Sequence, residues 1–320
     1  MVDSLQIKSP TGPTPVAVEY LSRLGTNDVA GVFITHWHED HTRGAAAMLR
    51  QWPNSLRHIG LPAGFNEREL AAFVADLLPH PRRFKLVSDL AEVMTALNEP
   101  ALANTQRFVL GDRVTVPFGS GRQIAALSPS LDDIRHQALT LTTYLPGWKG
   151  PPPRRFDVNS GCAVLHVTCG PLGVMLSSDL DAGDTNLRGW KCIVQNYGTQ
   201  LRSDIIKVGH HGSDTAHHAP ALTAMSSTQA HGAVTPFPAR GEHLPRTAMV
   251  RQYKRDLKAL HITAPHRAPT RAGKVAMKHT PFSGYKSVSP SAMDAIGQIR
   301  YRAKSTGDVR VELFGTAAPT

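Results

Sequence analysis

The sequence predicts an α/β protein. Short apolar runs that read as buried strands recur along the chain, among them GVFIT (31–35), GVMLSS (173–178) and DIIKVG (204–209). Each leads directly into polar residues with metal-ligating side chains, the placement by which α/β folds gather ligands at one edge of a sheet. Stretches with helical spacing lie between them. The 24 Pro and 26 Gly favour many short elements over a few long helices.

Taken in order, VAVEYLSRL (16–24) has apolar residues at helical spacing, and Gly25 is placed as its C-cap. GVFIT is a short apolar run bounded by turn residues, so it reads as a buried strand. TRGAAAMLRQW then reads as a helix starting just after a histidine cluster, and further helices fit 66–78 and 87–97. RVTVPF and QIAALSP read as strands, followed by a Pro-rich loop from Leu145 to Phe156. CAVLHVTC (162–169) and GVMLSS are separated by GPL, the pattern of a hairpin. DIIKVG is a further buried strand. Pro245 opens a helix whose apolar face carries Met249, Val250, Tyr253, Leu257 and Leu260. QIRYRAK and DVRVELFG close the chain as alternating strands with a turn at Ser305–Gly307.

The 320 residues, 41% of them hydrophobic, can bury a sizeable core, and they are read as one domain. No apolar run reaches the roughly 18 residues a bilayer requires, so no membrane role is expected. MVDSLQIKSPTGP lacks the basic and apolar regions of a secretory signal. Cys162, Cys169 and Cys192 form no CxxC and are odd in number, which predicts reduced thiols in a cytoplasmic protein. The formal net charge of +10 favours anionic partners, nucleic acid or phosphodiesters among them. The positive residues are scattered, with small groups at Arg154–Arg155 and Lys254–Arg255, so the field is diffuse.

The chemistry lies in three stretches. THWHEDHTRG holds His36, His38, Asp40 and His41 as H-x-H-x-D-H. Imidazole and carboxylate together suit Zn²⁺, with Mn²⁺ or Fe as alternatives. So short a loop cannot bring all four to one ion, so His36 and His38 serve one and Asp40 and His41 a neighbour. In SSDLDAGD, Asp179 follows a strand directly and can bridge two ions, while Asp181 and Asp184 read as loop or cap residues. In KVGHHGSDTAHH, one of His210 and His211 completes the second ion and the other orients it or meets substrate. His217 and His218 read as a solvated loop pair. Lys207 and Ser213 are candidate substrate contacts.

H-x-H-x-D-H, a strand followed by Asp, and KVGHHGS together resemble the metallo-β-lactamase-fold hydrolases. Within them, HHGS resembles the branch with the nuclease-like domain of the competence proteins of DNA uptake. The resemblance implies a four-layer αββα sandwich and two divalent ions, most often zinc, with a hydroxide between them. His36 and His38 match first-metal ligands, Asp40 and His41 second-metal ligands, and Asp179 the bridging acid; Asp40 and Asp179 are the catalytic candidates. The late histidine of the family matches the His210–His211 pair, with His211 favoured. Where many members place another histidine, this chain has Asn159, a weaker ligand better suited to orienting substrate. Members open with two or three strands before H-x-H-x-D-H, and MVDS matches the end of the last of these. The comparison thus predicts a domain lacking the first N-terminal strands, with an open sheet edge that a homodimer or partner strand would cover.

The leading expectation is a metal-dependent hydrolase of phosphodiesters, a nuclease. A small-molecule ester, lactone or amide hydrolase on the same site is the second, since fold does not fix function. A catalytically impaired scaffold or defence-associated subunit is the third.

Overall fold

The structure, a computed structural model, describes residues 1–3, 6–9, 12–26, 28–63, 85–142, 158–239, 242–264, 297–304 and 308–320. The helix expected over 66–78, the Pro-rich stretch 145–156 and the turn at 305–307 lie outside the described residues. Contacts divide the chain into two units: Met1–Val114 with Ala126–Val164, and Thr115–Ala125 with Leu165–Thr320. The α/β class expected from the strand and helix patterns holds in both.

Local sequence decides the elements of the first unit. Strands β1 (Gln6–Ser9) and β2 (Gly12–Pro15) form an antiparallel hairpin whose last residue, Pro15, caps α1 (Val16–Arg23). Gly25, at φ +68°, turns the chain out of that helix. Strand β3 (Gly31–Phe33) is buried throughout. The helix expected after the histidine cluster is present, and a separate one-turn helix precedes it inside the cluster. A one-turn α2 (Glu39–Thr42) starts on His38, and α3 (Ala45–Gln51) follows Gly44. Gly44 adopts φ +87°, a left-handed position that interrupts the helical path and that a side chain would strain. Asp40 and His41 therefore stand on a helical turn.

Strands β4 (His58–Pro62) and β5 (Gln106–Leu110) join β3 in a parallel sheet ordered β3-β4-β5. The chain start runs beside β3: Val2 bridges Phe33 in parallel, and Asp3 N–H donates to the Phe33 carbonyl at 2.8 Å. The strand-like reading of MVDS agrees with this. Val32, Ile34, Ile59 and Leu61 of the sheet region pack in one core with Met48 and Leu49 of α3 and with Leu90, Val93 and Leu97 of α4 (Lys85–Leu97). Each such side chain contributes about 1.5–3 kcal/mol by leaving water. Helix α5 (Leu131–Thr142) also belongs to this unit.

The second unit is built on an eight-stranded sheet ordered β17-β14-β11-β10-β9-β8-β7-β6. Its members are β6 (Val114–Pro117), β7 (Arg122–Ala126), β8 (Leu165–Cys169), β9 (Leu172–Leu176), β10 (Ser203–Lys207), β11 (Ser226–Val234), β14 (Ala259–Ile262) and β17 (Ala318–Pro319). β8 and β9 form the expected antiparallel hairpin. β9, β10, β11 and β14 run parallel. The connections between these parallel neighbours carry α6 (Gly189–Tyr197), α7 (Ala219–Met225) and α8 (Thr247–Asp256), as parallel pairing requires. Pro245 lies one residue before the α8 cap, Arg246, rather than inside the helix. Two hairpins complete the unit: β12 (Phe237–Ala239) with β13 (Glu242–Leu244), and β15 (Gln298–Ala303) with β16 (Val309–Phe314). Asp179 and His210–His211 follow the C-terminal ends of β9 and β10, where parallel sheets present their ligands.

Candidate metal centre

In the first unit, β3 leads into residues 34–38, which lie between the strand and α2 and end on an extended His38. His36 is fully buried, while His38, Asp40 and His41 are half-buried. The His36 ring lies 4.1 Å from that of His41 and 5.6 Å from that of His38, centroid to centroid. Asp40 sits between its neighbours, with Oδ1 3.9 Å from His38 Nδ1 and Oδ2 3.8 Å from His41 Nε2.

Behind them stands Asp3, which the sequence reading did not single out. One of its oxygens, Oδ2, is 2.8 Å from His41 Nδ1 and accepts the Thr35 hydroxyl at 2.8 Å. The other, Oδ1, accepts the Thr35 backbone N–H at 2.8 Å. With its proton given to Asp3, the Thr35 oxygen accepts from His36 Nδ1 at 3.2 Å. Both imidazoles thus carry their proton on Nδ1 and present the Nε2 lone pair, the form a metal ion needs. Asp3 has φ +55°, a left-handed conformation that aspartate tolerates better than most residues.

The second unit repeats the device with a different acceptor. Asp179 is 1% exposed. His211 points Nε2 to within 3.7 Å of Asp179 Oδ2, while its Nδ1 lies 3.0 Å from the Thr235 carbonyl. A carbonyl only accepts, so the proton is on Nδ1 and the lone pair is on the Asp179 side. His210 faces elsewhere. Its Nδ1 is 3.0 Å from Asp181 Oδ1, which also accepts the Thr215 hydroxyl at 2.7 Å. The divergence comes from a tight turn: His210 and His211 have φ +43° and +55°, and His210 N–H donates to the Ser178 carbonyl at 3.0 Å. Of the two histidines, His211 is the one brought to Asp179.

Within the first unit, ligand atoms of His36 and His38, and of Asp40 and His41, lie within 4.8 Å of each other, and within the second unit so do those of Asp179 and His211. These donors fit a divalent ion by type, and the Nδ1 anchors of His41 and His211 fit it by tautomer.

The remaining candidates have structural contacts. Ser213 Oγ accepts from Ala216 N–H at 3.2 Å and pairs with the Thr215 hydroxyl, so it closes the turn after HHG. Lys207 Nζ donates to the Val208 carbonyl at 2.9 Å. Asn159, 8% exposed, begins the helical turn Asn159–Gly161 in the first unit. Asp184 accepts from Arg188 Nε at 2.9 Å. His217 and His218 are not a solvated pair. His217 Nε2 lies 2.7 Å from Asp256 Oδ2, its ring edge-on to Tyr253, and His218 Nδ1 caps α7 by accepting from Ala221 N–H. Burial, with Lys191 nearby, holds the His218 pKa below the usual histidine value.

Sequence reasoning missed Asp3 and Thr235 for a physical reason. Asp3 is 38 positions from His41, and Thr235 acts through a carbonyl that every residue possesses. The one available signal was an acid at the end of a strand-like segment, MVDS.

Among the described residues, no helix is long and apolar enough to cross a membrane. Residues 9–128 match the family model of the metallo-beta-lactamase superfamily. Competence protein ComA of Neisseria gonorrhoeae is 33% identical over 73 residues, which are 23% of this chain and 10% of that protein. The chain thus spans about a tenth of the length of the curated relative it matches. Among solved structures, the metallo-beta-lactamase fold protein YhfI from Bacillus subtilis aligns with a TM-score of 0.39 at 10% identity, over 78% of this chain and 80% of that one. The stretch that matches the family model, residues 9–128, contains His36, His38, Asp40 and His41.

Proposed function

We propose that the protein is a metal-dependent phosphodiesterase acting on nucleic acid. The observation that carries the reading is the donor set of imidazoles and carboxylates, with His41 and His211 each locked through Nδ1 in the metal-ligating tautomer. His36, His38, Asp40 and His41 in the first unit would serve as ligands of divalent ions, and so would Asp179 and His211 in the second, zinc being the best match to these ligands. Asp179 would contribute a buried carboxylate to an ion in the second unit. Such ions supply a water of lowered pKa and neutralise charge at a phosphoryl group. One carboxylate oxygen of Asp40 would take up a proton from the attacking water, and Asn159 would orient substrate. The net charge of +10 and the partial similarity to a competence protein favour an anionic polymer over a small neutral ester.

The test is cleavage of labelled single- and double-stranded DNA and RNA by protein loaded with zinc or manganese. Cleavage is expected, stopped by a chelator and abolished by Asp40→Ala. A metal-loaded sample that spares every nucleic acid and simple phosphodiester but opens an ester, lactone or amide would overturn the assignment.

A further inference from the structure

Phe237 is the first residue of β12 and follows Thr235, whose carbonyl anchors His211, by two positions. Its ring lies against the His211 ring, with centroids 4.9 Å apart and planes inclined at 33°. The residue is nevertheless 40% exposed. The other exposed large apolar side chains among the described residues are Leu24, Val109, Leu131, Leu139 and Leu187, so Phe237 is the aromatic one. Its hairpin is two short strands, with Phe237 directly opposite Leu244 in the register.

We propose that Phe237 is a substrate-binding residue, a stacking platform for a nucleobase whose phosphate is held beside His211. The proposal rests on the phosphodiesterase reading and adds the class of group recognised next to the phosphate. Three features support it. The ring stands against a candidate metal ligand. The residue is 40% exposed despite that contact. A base offers a π-face whatever its identity, so an aromatic platform grips nucleic acid without choosing sequence. An aliphatic side chain at this position would fill the same space against His211 without offering a face to stack on.

A second role for the ring, holding His211 in place, is separable by measurement. Full-length, metal-loaded wild type, Phe237→Ala and Phe237→Trp are compared for bound metal by elemental analysis. Fluorescence anisotropy then reports binding of a short single-stranded DNA and of the same backbone made abasic. Phe237→Ala is expected to weaken binding of the base-bearing strand by about 5- to 150-fold. Abasic binding and metal content should stay as in wild type, and Phe237→Trp should restore affinity. Unchanged affinity for the base-bearing strand in Phe237→Ala overturns the platform, as does an equal loss on both strands or a loss of metal. If wild type cleaves DNA and Phe237→Ala binds normally, only the platform fails. If wild type neither binds nor cuts any nucleic acid, the phosphodiesterase reading fails and the platform with it.

Discussion

His41 and His211 lie in different units, yet each is fixed through Nδ1 by an oxygen, an Asp3 carboxylate in one case and the Thr235 carbonyl in the other. Acceptors at this position orient the ring and raise its basicity toward an ion, and their loss commonly costs 10–100-fold in affinity. Asp3→Ala should therefore weaken zinc binding by about 10–100-fold in competition with a chromogenic chelator. It also removes the acceptor for Thr35, whose hydroxyl contacts His36. Wild-type affinity in Asp3→Ala would show that this carboxylate only tethers the chain start. The HHGS turn gives a sharper pair of variants. His211→Ala should lower the metal content, whereas His210→Ala, whose ring is turned to Asp181, should keep it. Equal losses would contradict the division of roles. At this scale the sequence showed ligands by residue type and spacing, but the supporting contacts span 24 to 38 positions and leave no local pattern.

Strand ends explain why the candidate ligands were legible. An apolar run followed by a polar cluster announces its own boundary, and β3, β9 and β10 all end within three residues of an expected ligand. Elements without such punctuation were harder to read. The one-turn helix inside the histidine cluster carries no helical pattern of its own because Gly44 separates it from α3, and β11, with His231 and Gly232 inside it, offers no clean apolar run. Its histidine has a consequence for stability. His231 on β11 stacks with His261 on β14 at 5.7 Å, and His261 Nδ1 lies 3.1 Å from the Tyr301 hydroxyl on β15, which donates to the Gly232 carbonyl. Burial lowers the pKa of both histidines below 6.5, helped at His231 by His261 and Lys258. A depressed folded-state pKa means the unfolded chain takes up protons first. The stabilisation is thus complete above the ordinary histidine value and is lost as pH falls below it toward the folded-state value. Urea midpoints should drop between about pH 8 and about pH 5, and His231→Phe should flatten part of that drop. A profile identical in the variant would assign the drop to other groups. In the first unit, Gly60 offers a test of packing: an added Cβ would lie 2.3 Å from Phe33 Cδ1. Gly60→Ala should cost about 1–3 kcal/mol in chemical denaturation.

The whole molecule adds the field of its charges. A net charge of +10 spread along the chain, with no dense basic arm, should act as a long-range attraction for polyanions. Oligonucleotide affinity should therefore fall linearly on a log–log plot against salt, with a slope of about −0.7 per phosphate neutralised on a single strand. A salt-independent turnover would favour a small uncharged substrate. Composition and the ordered motifs made the α/β class and the metal-ligating residue types readable. They did not reveal the two compact units, because long-range contacts rather than local pattern set those boundaries. The central claim is that these histidines and aspartates hold divalent ions, and its most direct test is elemental analysis of protein produced in metal-replete medium. About two ions per chain are expected in wild type, with a clear loss in Asp179→Ala. Wild-type protein that binds no metal, or an Asp179→Ala variant that binds as much, would contradict it.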